Sequence, residues 1–275
     1  DDAAEKKRRF SAIFKAGMAL RRDLKPPEMD EQPRAEIKLR DLPWRTYMDD
    51  EGHIIFDGGA GLRVPVRGDI SQLAKNEIIA QAIRQQPVYP EEVRPLNALG
   101  KPGCLLRIND AKRIIVVGDL HGRYDNLEYI LGDKDNWRAV KDGSAHLLFL
   151  GDVIHPSTSK GDMEAMNYDS FRVLLLVLSL RAENPGSVHY ILGNHENSHC
   201  GGLSTAKGDA NVQEGFEGFM KSRFGTMILS SYEEFLRDCL VAVKIKMKDI
   251  YILAVHASLT PYVKNETGLI NLTVK

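Results

Sequence analysis

Cysteine is scarce in this chain. There are three in 275 residues, Cys104, Cys200 and Cys239, and no two form a Cys-x-x-Cys pair. An odd, scattered trio excludes a disulfide framework or a zinc knuckle as the organising feature and points to a reducing compartment. Long apolar runs are missing too. A membrane span needs about 18–20 apolar residues, and the most apolar stretch, Phe171 to Leu180, is shorter than that and is broken by Arg172 and Ser179. It reads as a buried helix. Charge of one sign is also lacking: 37 Lys and Arg face 38 Asp and Glu, a net charge of −1. That balance speaks against nucleic acid as a partner and against bulk adhesion to membranes. The sequence opens on Asp1 with no visible signal peptide, so the expected location is cytoplasmic, or a host cytosol if the chain is a delivered effector.

Glycine motifs that cradle nucleotides are absent as well. The run Asp57-Gly58-Gly59-Ala60-Gly61 does not satisfy G-x-G-x-x-G, and Gly201 to Gly208 lacks P-loop spacing. No Cys-x5-Arg loop is present either. What remains is 43% hydrophobic and 27% charged residues, an ordinary globular composition with ample surface to bury.

Three regions are expected. Residues 1–27 carry Lys6, Lys7, Arg8, Arg9, Lys15, Arg21, Arg22 and Lys25 among Phe10, Ile13 and Phe14 at helical spacing. This is a basic amphipathic helix, ended by Pro26-Pro27. Its basic face is either simply solvated or a dock for an acidic partner or an anionic membrane surface. Residues 28–110 read as an accessory or cap region. Ile54 to Phe56 and Leu62 to Val66 suggest a hairpin around the glycine run, and a helix starting at Ser71 reaches Ile83. Such a cap could wall a cleft of the region that follows. Residues 111–275 hold the chemistry.

There, apolar runs of β type each end in small polar clusters. Arg113 to Val117 leads into Gly118-Asp119, and His146 to Leu150 into Gly151-Asp152. Val188 to Leu192 leads into Gly193-Asn194-His195-Glu196, and Ile250 to Val255 into His256. Helical stretches near 125–132 and 163–183 separate them. This alternation implies an α/β core whose ligands collect beyond the strand ends. The strand ends deliver Asp119, His121, Asp152, Asn194 and His256. Carboxylate, amide oxygen and imidazole together suit Mn, Fe or Zn, and converging ligands can hold two ions about 3.5–4 Å apart.

Gly118-Asp-Leu-His-Gly122, Gly151-Asp152, Gly193-Asn-His-Glu196 and Val255-His-Ala-Ser-Leu-Thr-Pro261 resemble the motif set of the phosphoprotein phosphatase branch of the calcineurin-like metallophosphoesterases. The resemblance covers residues 111–262 and extends to atypical bacterial phosphatases, including Wip-type secreted effectors. It implies a β-sandwich of mixed sheets flanked by helices, preceded here by the accessory region, and a centre of two divalent ions, manganese first among the candidates. One ion would take Asp119, His121 and Asp152. The other would share bridging Asp152 and add Asn194 and His256. His195 aligns with the general acid, and metal-bound hydroxide would hydrolyse phosphomonoesters of phosphoproteins in one step. Tyr and Ser/Thr substrates are not separated. A dinucleoside polyphosphate or other small-molecule phosphoesterase, and a catalytically weak binding module on the same fold, are the alternatives.

Two departures from the family pattern stand out. The second motif usually continues Gly-Asp-x-Val-Asp-Arg-Gly, and here reads Gly151-Asp-Val-Ile-His-Pro-Ser157. His155 thus replaces the carboxylate that orients the acid, and Pro156 an arginine that grips phosphate. His155 is expected to bind phosphate or line the cleft. Orientation of His195 is least favoured, because a neighbouring imidazolium would repel a protonated acid. Arg123 and Lys207 are the substitutes for the missing phosphate grip. The second departure is a histidine the family supplies well beyond the His256 position; none follows in the 19 residues after His256. Either further sequence or another group supplies it, His199 being the nearest candidate. His189 is assigned to the core, and His53 and His146 lie outside the motifs. Asn265 and Asn271 match the glycosylation pattern weakly.

Overall fold

The computed structural model describes residues 45–48, 54–57, 79–80, 83–84, 86–158, 161–201, 206–207, 210–259 and 263–272. The basic segment 1–27, His53, the glycine run and the strand expected at 62–66 lie outside these. Among the described residues, no helix is long and apolar enough to cross a membrane.

Strand β1 (Arg45–Met48) pairs antiparallel with β2 (Ile54–Asp57). The 54–57 strand therefore finds a partner upstream, where the sequence pointed downstream across the glycines. The chain continues through β3 (Leu105–Ile108), β4 (Ile114–Val117), α1 (Tyr124–Gly132), α2 (Asn136–Lys141) and β5 (His146–Phe149). Helix α3 (Met163–Glu183), β6 (Val188–Tyr190) and α4 (Asn194–Gly201) follow. A short β7 (Ala206–Lys207) and β8 (Ala210–Asn211) precede α5 (Val212–Phe224) and α6 (Thr226–Arg237). Strands β9 (Ala242–Met247) and β10 (Ile250–Val255) and helix α7 (Glu266–Ile270) complete it.

Strands β4, β5 and β6 form a parallel sheet in that order. The second sheet is mixed, with β9 parallel to β3 and antiparallel to β10. Alternation along the strands sends side chains to different layers. On β5, Leu148 joins Leu106, Ile108, Val243 and Ile245 between the sheets, while Leu147 and Phe149 join the larger core under the helices. Leu105 and Ala242 face outward to Leu269 of α7. The result is helix, sheet, sheet, helix. Helix α3 is the central element of the larger core, with Phe171 and Val173 to Leu178 all buried. It starts where the Asp162 carboxylate accepts the N–H groups of Glu164 and Ala165, a cap that satisfies two otherwise orphaned donors.

Some described residues before 111 pack with the core that follows. Ile79, Ala80 and Ile83 are buried in the larger core, and β3 is a paired member of the second sheet. Arg94, buried, donates to the carbonyls of Gly103 and Asp238 at 2.8 Å each. Within the region expected to be accessory, Ile79, Ala80, Ile83 and β3 thus belong to the sandwich. The glycosylation-type asparagines are structural: Asn265 caps α7, and Asn271 accepts from Ala98 N at 2.7 Å.

His189, in the middle of β6, is core as expected, with Nε2 3.0 Å from Nδ1 of His146. Burial first, then the charges of His146 and Arg181, push its pKa down to about 3 from 6.5. Below 6.5 the unfolded chain therefore takes up a proton that the native fold refuses. The stabilising contribution is whole above that value and is lost as pH falls toward 3. Urea midpoints should accordingly fall between pH 7 and pH 5. His189→Gln should flatten that fall by up to about 1.4 kcal/mol per pH unit. An equally steep fall in the variant would assign the acid sensitivity elsewhere.

Candidate active site

The site forms where β4, β5 and β6 of the first sheet and β10 of the second end. Its loops are bonded to one another before any side chain is considered. The Asp152 carbonyl accepts the N–H groups of Leu120 and His121 at 3.0 and 2.9 Å, joining the first two motifs. The second and third approach backbone to backbone: a Cβ on Gly151 would overlap Gly193, and one on Gly193 would overlap Asp152. Gly151 also holds φ at 95°, a left-handed value that glycine adopts without cost. Glu196, fully buried, ties the loops together by accepting from Asp152 N and Val153 N at 2.8 Å, Gly193 N at 3.2 Å and Ile154 N at 3.3 Å. Burial, and next the charge of Asp152, raise its pKa, against the pull of those N–H groups. The Gly-Asn-His-Glu motif contained this residue, but the sequence reading gave it no task.

Three side chains of the site sit on left-handed backbone: His121 at φ 48°, Asp152 at 52° and His155 at 62°. Each such non-glycine residue costs on the order of 1–3 kcal/mol, which the surrounding bonds must hold.

Asp152 is the hub. Its Oδ1 accepts the backbone N–H of His195 at 2.9 Å in the first turn of α4. Its Oδ2 lies 3.5 Å from His256 Nε2 and 3.9 Å from His195 Nε2. Two groups of ligand atoms, each with all members within 4.8 Å of one another, share it: His121, Asp152 and His195, and Asp119, Asp152 and His256. Asp119 also lies 4.0 Å from His121 Nε2. The geometry thus groups Asp119 with His256 as well as beside His121.

The donor set fits divalent cations. His256 Nδ1 bonds the Leu150 carbonyl at 2.8 Å and His121 Nδ1 the Ile154 carbonyl at 3.3 Å. A carbonyl can only accept, so Nδ1 carries a hydrogen in both rings and Nε2 is the nitrogen turned inward, free to serve as a ligand atom. The Asn194 amide lies 2.9 Å from His256 Nε2. With nitrogen there it donates to His256 Nε2 and, at 3.2 Å, to Asp152 Oδ2; with oxygen there, three acceptors converge as a cation requires. Asp119 and Asn194 are exposed and His121 and His256 half-buried, so the site opens to solvent on that side. Beside it, Leu120, Asn126, Tyr129 and Ile130 line an open cleft of about 280 Å³.

The structure gives three further candidates protein partners. His155 is fully buried, with Nδ1 2.8 Å from His195 Nδ1 and Nε2 3.0 Å from His199 Nε2. Both nitrogens face protein, so it neither binds phosphate nor lines the cleft, and its contact is with the expected acid. His199 is committed to His155 and to Glu217, away from the cluster of ligands, and does not replace the missing histidine. Arg123 forms a two-pronged pair with Asp125 at 3.0 and 2.7 Å on the surface, which engages the guanidinium expected for phosphate. Lys207 lies on β7.

Known proteins resemble the chain as follows. It is 27% identical over 118 residues to a serine/threonine-protein phosphatase 7 long form homolog of Arabidopsis thaliana, covering 43% of this chain and 8% of that protein. It thus spans less than a tenth of that relative's length. A protein serine/threonine phosphatase structure from Saccharomyces cerevisiae, with similarity to human phosphatase PP5, superposes with TM-score 0.45 at 16% identity, covering 73% of this chain and 52% of that one. A cold-active protein-tyrosine phosphatase of a psychrophilic Shewanella gives TM-score 0.37 at 20% identity, covering 62% and 44%. The family model described as calcineurin-like phosphoesterase matches residues 112–271, which is more than half of the chain and includes every strand end that delivers a ligand-type side chain. The chain therefore belongs to the calcineurin-like phosphoesterase family.

Proposed function

We propose that the protein is a phosphoprotein phosphatase that depends on two divalent ions, manganese first among them. The observation that carries this reading is Asp152 shared between two ligand groups, with His121 and His256 turned to present Nε2. Asp119, His121, Asp152, Asn194 and His256 would hold the ions. A cation pair at such a site supplies Lewis-acid charge for phosphoryl oxygens and hydroxide at neutral pH. His195, held over Asp152 by its backbone N–H, directs Nε2 inward and would give a proton to the leaving oxygen. The half-open rim at Asp119 and Asn194 leaves room for a phosphate carried on a protein side chain. The serine/threonine phosphatase name of the Arabidopsis relative supports a phosphoprotein substrate.

The test measures metal content of the purified protein alongside hydrolysis of matched phosphotyrosine and phosphothreonine peptides and a dinucleoside tetraphosphate. Peptide hydrolysis that disappears on chelation and returns with manganese is expected. Preferential cleavage of the dinucleotide would replace this reading with a small-molecule phosphoesterase. Activity surviving exhaustive chelation would remove the ions from the mechanism.

A further inference from the structure

We infer that Glu217, acting through His199 and His155, is a positioning residue that sets the orientation and tautomer of His195. This rests on the proposed role of His195 as proton donor, and it gives that role a structural origin specific to this chain.

Four side chains lie in one line of short contacts. Glu217 Oε1 is 3.0 Å from His199 Nδ1, His199 Nε2 is 3.0 Å from His155 Nε2, and His155 Nδ1 is 2.8 Å from His195 Nδ1. The line is shielded from water: His155 is fully buried, and so is the His199 side chain. Phe216 meets both rings, at 5.4 and 5.9 Å between centroids, and Tyr232 meets His199 at 5.4 Å. Glu217 and Phe216 are neighbours on α5, so one helix supplies both the acceptor and the apolar wall. Gln213, one turn earlier, donates to the same Glu217 oxygen at 3.0 Å and steadies it.

The hydrogen positions follow from the carboxylate end. An ionised carboxylate only accepts, so His199 carries its hydrogen on Nδ1 and its Nε2 is a bare acceptor. Burial pulls His199 below the ordinary imidazole range, against the attraction of Glu217, which keeps it neutral. His155 must then donate from Nε2, which leaves its Nδ1 bare. His195 in turn must donate from Nδ1. Every hydrogen in the line points toward Glu217, and the His195 nitrogen left for chemistry is Nε2, the one facing Asp152. A carboxylate touching the acid directly would impose the same tautomer. Here two neutral imidazoles carry its polarity across the gap. An imidazolium at His155 would repel a protonated His195, but a neutral ring that accepts from His195 attracts it instead. An unmade bond anywhere in the line would leave a buried polar atom unsatisfied, so the pattern is all or none.

The test combines variants with two readouts. Glu217→Leu removes the acceptor, and Glu217→Gln keeps an oxygen acceptor without charge. Outer partners of this kind are typically worth about 10–100-fold in activity. Glu217→Leu should therefore slow a phosphoserine peptide about 10–100-fold and 4-nitrophenyl phosphate distinctly less, with metal content unchanged and Glu217→Gln intermediate. Adding Glu217→Leu to His195→Asn should cost nothing further. Long-range proton–nitrogen NMR of the imidazoles should show hydrogens on His199 Nδ1, His155 Nε2 and His195 Nδ1, with the pattern lost in Glu217→Leu. Because the NMR needs no turnover, it reads the relay even if the phosphatase assignment fails. The inference falls if the tautomers differ from these, if Glu217→Leu keeps full activity, or if its loss is equal for both leaving groups.

Discussion

Asp152→Asn is expected to abolish phosphatase activity and the tight binding of at least one divalent ion, while leaving the fold in place. The two oxygens of Asp152 do different work. Oδ1 accepts the His195 backbone N–H at 2.9 Å, and an asparagine oxygen can keep that bond. Oδ2 faces His256 Nε2 at 3.5 Å and His195 Nε2 at 3.9 Å, and there the substitution puts an N–H donor where a cation needs charge. The donor would bond the His256 lone pair and block it. Loss of a single preorganised electrostatic group commonly costs about 10²–10³ in rate; a shared carboxylate should exceed the upper figure. The ion-free variant should be no less stable than the parent, because the charge of Asp152 is among the causes that raise buried Glu196. Thermal melts without metal, metal content after loading and peptide turnover check the three parts separately. A variant that retains both ions and turnover would end the assignment of Asp152 as their shared ligand.

How much of this was legible depends on the range of the interaction. The strands of the first sheet lie within the apolar runs of the sequence, and β5 and β6 show why: a parallel strand buried on both faces is written as a continuous apolar run. Helix α3 was visible for the same reason in Phe171 to Leu180. Strand β3 was not seen: Leu105–Ile108 is four residues long, and its partner β9 lies more than a hundred residues away. The ligand-type residues were legible because glycine turns at strand ends are local signals. Glu217 was not, since nothing within α5 marks it, and it reaches the site only because α5 packs on α4. His155 was seen as a substitution but judged as one half of a pair. The partners behind it, His199 and through it Glu217, come together only in the fold.

His195→Asn is the change that separates chemistry from binding at this site. The His195 ring is buried, with Nδ1 2.8 Å from His155 and Nε2 3.9 Å from Asp152. Asparagine keeps the backbone N–H that Asp152 caps, so the loop and the ligand cluster should persist. What it removes is a group able to carry a proton to the leaving oxygen. General acid catalysis of this kind contributes about 10²–10⁴-fold. A loss in that range is expected for phosphoserine peptides, whose alkoxide leaves poorly, and a much smaller loss for 4-nitrophenyl phosphate, whose anion needs no protonation. His195 also falls in one ligand group, with His121 and Asp152, so the alternative is that it binds an ion. In that case the variant would lose metal, and turnover would fall by the same factor for both substrates. Measuring metal content beside the two rates therefore decides between donor and ligand: retained metal with a large gap between substrates makes His195 the acid, and lost metal with no gap makes it a ligand.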